Sequence, residues 1–156
     1  MPRGPTGSQH GFTLLELIVV LVIAAILMTV VPPMISSALP GAQLKSAARQ
    51  LAAGLRSARN QALTRRQETS LVIDLEKHRF RVGDRKRDYP IPESLKIDLF
   101  TVESELLGEK RGGIRFFPQG GSTGGRITLS NGKRAFGVDV DWLTGKVRIL
   151  QLEPES

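Results

Sequence analysis

Glu16 is the only charged residue in the run FTLLELIVVLVIAAILMTVV, Phe12 to Val31. A carboxylate in so apolar a stretch must find a cation or remain a costly charge, worth on the order of 3 kcal/mol near a membrane centre and less near its surface. A second candidate is the pair Asp139 and Asp141, an arrangement that acid–base work or a cation site would use. In Phe136-Gly137-Val138-Asp139-Val140-Asp141-Trp142, however, alternation along a half-buried strand puts both aspartates on the solvent face with no chemistry required. A third is the glycine-rich Pro118-Gln119-Gly120-Gly121-Ser122-Thr123-Gly124-Gly125. No Lys-Ser or Lys-Thr pair follows it and the next element reads as a strand, so no helix N-terminus awaits an anion. It reads as a mobile or sharply turned connection. With two histidines, His10 and His78, and no cysteine, neither a disulfide, a thiolate metal site nor a histidine-built triad is expected. The chain reads as a protein that is not an enzyme, with no metal and no cofactor, working through contacts.

The elements that position these groups follow from length and pattern. Of 156 residues, the apolar run takes about 20 away from any soluble core and leaves one small head. Lys and Arg total 22 against 15 acidic residues, a net +7, and Arg3 is the only Lys, Arg, Asp or Glu among residues 1–11. The charge therefore belongs to the body, where it suits acidic protein, lipid headgroups or nucleic acid without choosing among them. Residues 1–11, rich in Pro, Gly and polar groups, read as a disposable or disordered leader. Twenty helical residues span about 30 Å, so residues 12–31 read as one membrane crossing. A secretory signal peptide would place cations before its apolar core and small cleavage-site residues after it, whereas here Glu16 lies inside and Pro32-Pro33-Met34 follows. A plain anchor gains nothing from a buried carboxylate.

Gly11-Phe12-Thr13-Leu14-Leu15-Glu16-Leu17 resembles the processing motif of type IV prepilins and of the pseudopilins of type II secretion. The resemblance implies cleavage after Gly11 by an inner-membrane prepilin peptidase and N-methylation of the new terminus on Phe12. It also implies that Glu16 neutralises the terminal amine of a neighbouring subunit. That pairing is physically sensible, because two charges costly in an apolar medium offset each other there.

Pro32 and Pro33 predict a break or bend, and Pro40-Gly41 a second interruption. Beyond them Leu44, Ala48, Leu51, Leu55, Ala58 and Ala62 recur at four- and three-residue spacing, an amphipathic helix whose stripe the head's own sheet would cover. Lys45, Arg49, Arg56, Arg59, Arg65 and Arg66 lie on its other faces and read as solvated, or as cations for acidic neighbours or phosphate. After Gln67 the period shortens. Ser70–Leu75 and His78–Val82 predict a hairpin through Glu76 and Lys77, and Leu95, Ile97 and Leu99 one face of a strand. Segments 83–93 and 103–113, the latter ending in Gly112-Gly113, read as exposed loops. Strands are predicted at 114–117, 125–129, 136–142 and 146–150, with Asn131-Gly132 as a type I′ turn.

Phe116–Gly125 with Asp141-Trp142-Leu143-Thr144-Gly145-Lys146-Val147 is similar to the C-terminal region of the minor pseudopilin H family, related to DNA-uptake minor pilins. The fold implied is α+β and pilin-like: a long N-terminal helix, transmembrane in its first half, packed on a small antiparallel sheet head. The organisation expected is a cleaved leader at 1–11, a transmembrane and assembly helix at 12–31, its amphipathic continuation at 32–67, and a β-rich periplasmic head at 68–156. The resemblance implies a minor pseudopilin near the tip of the periplasmic filament that drives protein export, in the bacterial inner membrane by a single pass. Its expected partners are other minor and major pseudopilins, the prepilin peptidase, the inner-membrane assembly platform and an exported substrate, with loops 83–93, 103–113 and 118–125 as contact candidates. The rival reading is a DNA-binding minor pilin, for which Arg79, Arg81, Arg85, Lys86 and Arg87 would track phosphates. Only Phe80 and Tyr89 stand nearby to stack on bases.

Overall fold

Helix α1 runs from Leu14 to Arg65. The computed structural model describes residues 13–102 and 110–153, and of residues 29–40 the backbone alone. Thr13 caps α1: its hydroxyl accepts from the amide of Glu16 at 3.2 Å, leaving Glu16 in the first turn, where a carboxylate suits the positive end of the helix. The helical backbone passes through Pro32, Pro33 and Pro40, so the predicted interruptions at 32–33 and 40–41 do not end the helix. Each proline removes one backbone donor, and the bonds on either side carry the helix past it. Contact density divides the chain into Met1–Leu39 and Pro40–Ser156.

In the first unit the described apolar side chains from Leu14 to Leu27 lie open on every face, Leu14 and Leu15 at 78% and 74%. Among the described residues no helix is long and apolar enough to cross a membrane. Phe12 and the side chains of residues 29–31, which complete the expected span, lie outside them.

In the second unit Leu44, Ala48, Leu51, Leu55, Ala58 and Ala62 are all buried, as their spacing predicts, and each buried leucine contributes about 1.5–3 kcal/mol. One sheet has the order β3-β2-β1-β5, from β1 (Thr69–Asp74), β2 (Arg79–Val82), β3 (Asp88–Pro90) and β5 (Arg111–Phe116). The other has the order β4-β6-β7-β8, from β4 (Lys96–Phe100), β6 (Gly125–Ser130), β7 (Ala135–Val140) and β8 (Val147–Leu152). All pairs are antiparallel. Leu71, Ile73, Phe80, Ile114 and Phe116 of the first sheet and Ile127, Leu129 and Val138 of the second join the helix stripe in one core. α1 approaches the first sheet closely at Gly54, where a Cβ would lie 2.7 Å from Phe80 Cε2.

The predicted β1–β2 hairpin forms, with Leu71 opposite Val82 and Asp74 opposite Arg79. Three expectations for the head change. Segment 83–93 contains β3, because Tyr89 stacks on Phe80 at 5.1 Å between centroids and Ile91 is buried, which draws a charged, proline-bearing segment onto the sheet edge. Gly112 and Gly113 belong to β5, opposite Ile73 and Val72. A Cβ on Gly113 would stand 2.8 Å from the Leu71 carbonyl, so the glycines there serve close strand approach rather than ending a loop. Residues 103–109 of that predicted loop lie outside the described residues. The β6–β7 turn is not type I′, since Gly132 (φ 82°) has positive φ and Asn131 does not. Asn131 instead accepts the amides of Lys133 and Arg134 on its Oδ1, at 3.1 and 2.9 Å, an Asx turn that needs no left-handed asparagine.

Candidate functional site

Of the three residues expected to act in processing and assembly, the structure describes Glu16; Gly11 and Phe12 lie outside the described residues. Glu16 is exposed on the first turn of α1, one residue after the exposed Leu15. Thr13, to which the sequence analysis assigns no role of its own, sets that turn through its hydroxyl and its carbonyl, the latter accepting the Leu17 amide at 3.2 Å. The signal was available in the spacing Thr-x-x-Glu, the pattern of a capping box.

The two aspartates do not form a pair. Asp139, on β7, stands opposite Arg126 on β6 and receives two guanidinium bonds, the Nη2 contact at 2.9 Å. That hydrogen bond, with the opposite charge, holds Arg126 above its ordinary pKa. Asp141, past the strand end, accepts the amide and the hydroxyl of Thr144, each at 2.8 Å. These bonds, the backbone one first, hold its carboxyl below the usual carboxylate range. The sign is that of a depressed acid: the turn's added stability is complete above the unfolded value of about 3.9 and is lost as pH falls through the folded one. An acid titration followed by Trp142 fluorescence is therefore expected to show a transition below about pH 3.9. Asp141→Asn, which keeps an acceptor and removes the proton site, should abolish it while leaving the head folded.

The glycine-rich segment is a sharply turned, tied-down connection. Ser122 is buried; its amide donates to Trp142 O at 2.7 Å and its hydroxyl to Asp141 O at 3.0 Å, while Thr123 N donates to Arg115 O at 2.9 Å. The segment thereby braces the start of Asp141–Lys146. α1 holds the rest: Arg59 Nε and Nη2 donate to Thr144 O at 3.3 and 3.1 Å, and Arg56 Nη2 reaches Val147 O at 3.5 Å. These two arginines, read as solvated or as cations for a partner, hold head carbonyls. Gly145 sits between them at φ 62°, where a Cβ would lie 2.6 Å from Gly120 O. The braced turn carries Trp142 and Leu143 at 68% and 66% exposure, near Phe100 at 78%. Phe100, Val102, Arg126, Asp139, Trp142 and Arg148 border an open groove of about 860 Å³.

The basic tract is partly neutralised within the head. Arg79 and Arg81 both hold Asp88, each at 2.7 Å, and Arg87 lies over the Tyr89 ring at 5.2 Å. The Arg81 hydrogen bond, with the Arg79 charge behind it, holds the Asp88 carboxyl below its ordinary range. Arg85 and Lys86 are exposed. His78, expected in a strand, is in the turn before β2 at φ 44°, its carbonyl accepting the Ile91 amide at 2.7 Å.

Residues 47–144 match the family model for the type II transport protein GspH, and residues 7–32 the model for the prokaryotic N-terminal methylation motif. Type II secretion system protein H of Xanthomonas campestris pv. campestris is 32% identical over 140 residues, 89% of this chain and 82% of that protein. Competence protein ComGD of Bacillus subtilis is 27% identical over 142 residues, 91% of this chain and 94% of that protein. Among solved structures, the minor pseudopilin EpsH from the type 2 secretion system of Vibrio cholerae aligns at TM-score 0.55 and 16% identity, over 70% of this chain and 97% of that one. The type IV minor pilin FimU of Pseudomonas aeruginosa aligns at TM-score 0.56 and 18% identity, over 75% and 96%. The architecture is thus the pilin-like α+β fold.

Proposed function

Because the chain belongs to the GspH family of type II transport proteins, we propose that it works as a minor pseudopilin at the tip of a periplasmic filament. In this reading residues 12–31 hold it in the bacterial inner membrane and residues 68–156 lie in the periplasm. The leader is removed after Gly11, Phe12 becomes the methylated terminus, and Glu16 pairs with the terminal amine of a neighbouring subunit. The observation that carries the reading is α1 itself. Its first described turns expose apolar side chains on every face around one carboxylate, while its last turns bury a regular stripe in the head. A helix bare on all sides in water has to be surrounded by lipid or by other helices, and a lone carboxylate there needs a cation.

The partners that follow are other pseudopilins, the prepilin peptidase, the inner-membrane assembly platform and, through the head, an exported substrate. A DNA-binding role draws less support from the geometry than from the composition, since Arg79 and Arg81 are committed to Asp88. The test sets the two side by side with the full chain in detergent. We expect a defined complex with other minor pseudopilins of the same system and weak binding to duplex DNA. Tight DNA binding that falls steeply with salt, without a pseudopilin complex, would overturn the proposal.

A further inference from the structure

We propose that Arg59 is a positioning residue for partner recognition, fastening the Asp141–Lys146 turn to α1 and so fixing where Trp142 and Leu143 are presented. The inference rests on the assembly reading above and names the surface through which a neighbouring head is held.

The guanidinium donates twice to one carbonyl, that of Thr144, 85 residues away in sequence. Arg56, three residues earlier on the same side of α1, reaches the next strand's first carbonyl. The start of the turn is held by Ser122, through the carbonyls of Trp142 and Asp141. The backbone of the turn is therefore held by two separate elements, at its start by Ser122 and at its end by the two arginines, while its two largest apolar side chains stay about two-thirds bare. Burial in this head's own core does not account for that combination. A rigidly held, exposed tryptophan is what an interface uses, because ordering it on binding then costs little.

The chemistry of the partner follows from the rim. Asp139 is occupied by Arg126 and Asp141 by Thr144, whereas Lys146 and Arg148 are exposed beside the turn. The patch is apolar at its centre and cationic at its edge, which fits a neighbouring pseudopilin head with an apolar recess and an acidic margin. Because Arg59 belongs to α1, the helix that enters the filament also sets this recognition surface.

Trp142 is the only tryptophan in the chain, so its fluorescence reports on the turn. The full chain is compared in detergent micelles as wild type, Arg59→Ala, Arg59→Lys and Trp142→Ala. Arg59→Ala is expected to lower Trp142 anisotropy, raise its quenching by acrylamide and weaken association with other minor pseudopilins of the same system roughly tenfold, with the head still folded. Arg59→Lys, which keeps a cationic donor without the guanidinium fork, should recover part of both changes, and Trp142→Ala should weaken association at least as much. Wild-type anisotropy and affinity in Arg59→Ala would overturn the proposal. So would undiminished association in Trp142→Ala, which would place the contact elsewhere while leaving the assembly reading intact. Failure of the wild-type chain to associate at all would overturn the assembly reading itself.

Discussion

Full-length protein carrying Glu16→Leu is expected to lose its leader normally and yet fail to enter the filament. In the proposed assembly Glu16 meets the amine of a neighbouring chain within an apolar helix bundle. Removing the carboxylate leaves that amine unpaired, at a cost on the order of 2.5–3.5 kcal/mol, or roughly a hundredfold in incorporation. Cleavage should be spared because the scissile bond follows Gly11, five residues earlier, and the described first turn of α1 is set by Thr13, which the variant keeps. The measurement is the ratio of mature to longer form on a gel, beside the amount recovered in cross-linked or sheared filament. A Gly11→Leu chain is the counterpart, retaining the longer form whatever happens at Glu16. Normal filament entry by Glu16→Leu would remove the charge-pairing role.

The second large effect is in the head. Phe80→Ala is expected to destabilise it by about 3–5 kcal/mol, the usual range for deleting a buried aromatic ring. Phe80 is 2% exposed, lies against α1 at Gly54, where a Cβ would stand 2.7 Å from its ring, and stacks on Tyr89. Three elements therefore meet on one ring. The cavity has little means to collapse, because α1 is also tied to β8 by Arg56 and to the β7–β8 turn by Arg59. Thermal unfolding should fall by on the order of 10–20 °C. Tyr89→Ala, at a half-buried edge position, should cost distinctly less, and equal losses in the two variants would contradict this account of the core.

Much of this architecture was readable from residues close together in the chain. The buried stripe from Leu44 to Ala62 followed from helical spacing and the β1–β2 hairpin from alternation, while the N-terminal motif rested on the resemblance that Gly11 to Leu17 carry, and residues 7–32 match the N-terminal methylation model. Elsewhere tertiary contacts override local signals. Charge and proline marked 83–93 as a loop, but Phe80 gave Tyr89 a ring to stack on and Ile91 a core to enter. Paired glycines suggested a loop end at 112–113, where they let β5 approach β1. Pro32, Pro33 and Pro40 predicted a break or bend and a second interruption, and the helical backbone runs through all three, because each proline removes only one donor.

By itself, then, the sequence determined the periods: which residues face a core, where the apolar helix lies, and that a single carboxylate sits inside it. Those depend on spacing along one element, and spacing is local. Only the tertiary structure decided which polar groups meet. Arg59 finds Thr144, Arg126 finds Asp139, and Ser122 finds the carbonyls of Asp141 and Trp142 through sheet register and helix placement. A guanidinium can serve water, a carboxylate or a carbonyl equally well, so its composition leaves the choice open until packing brings one of them within reach.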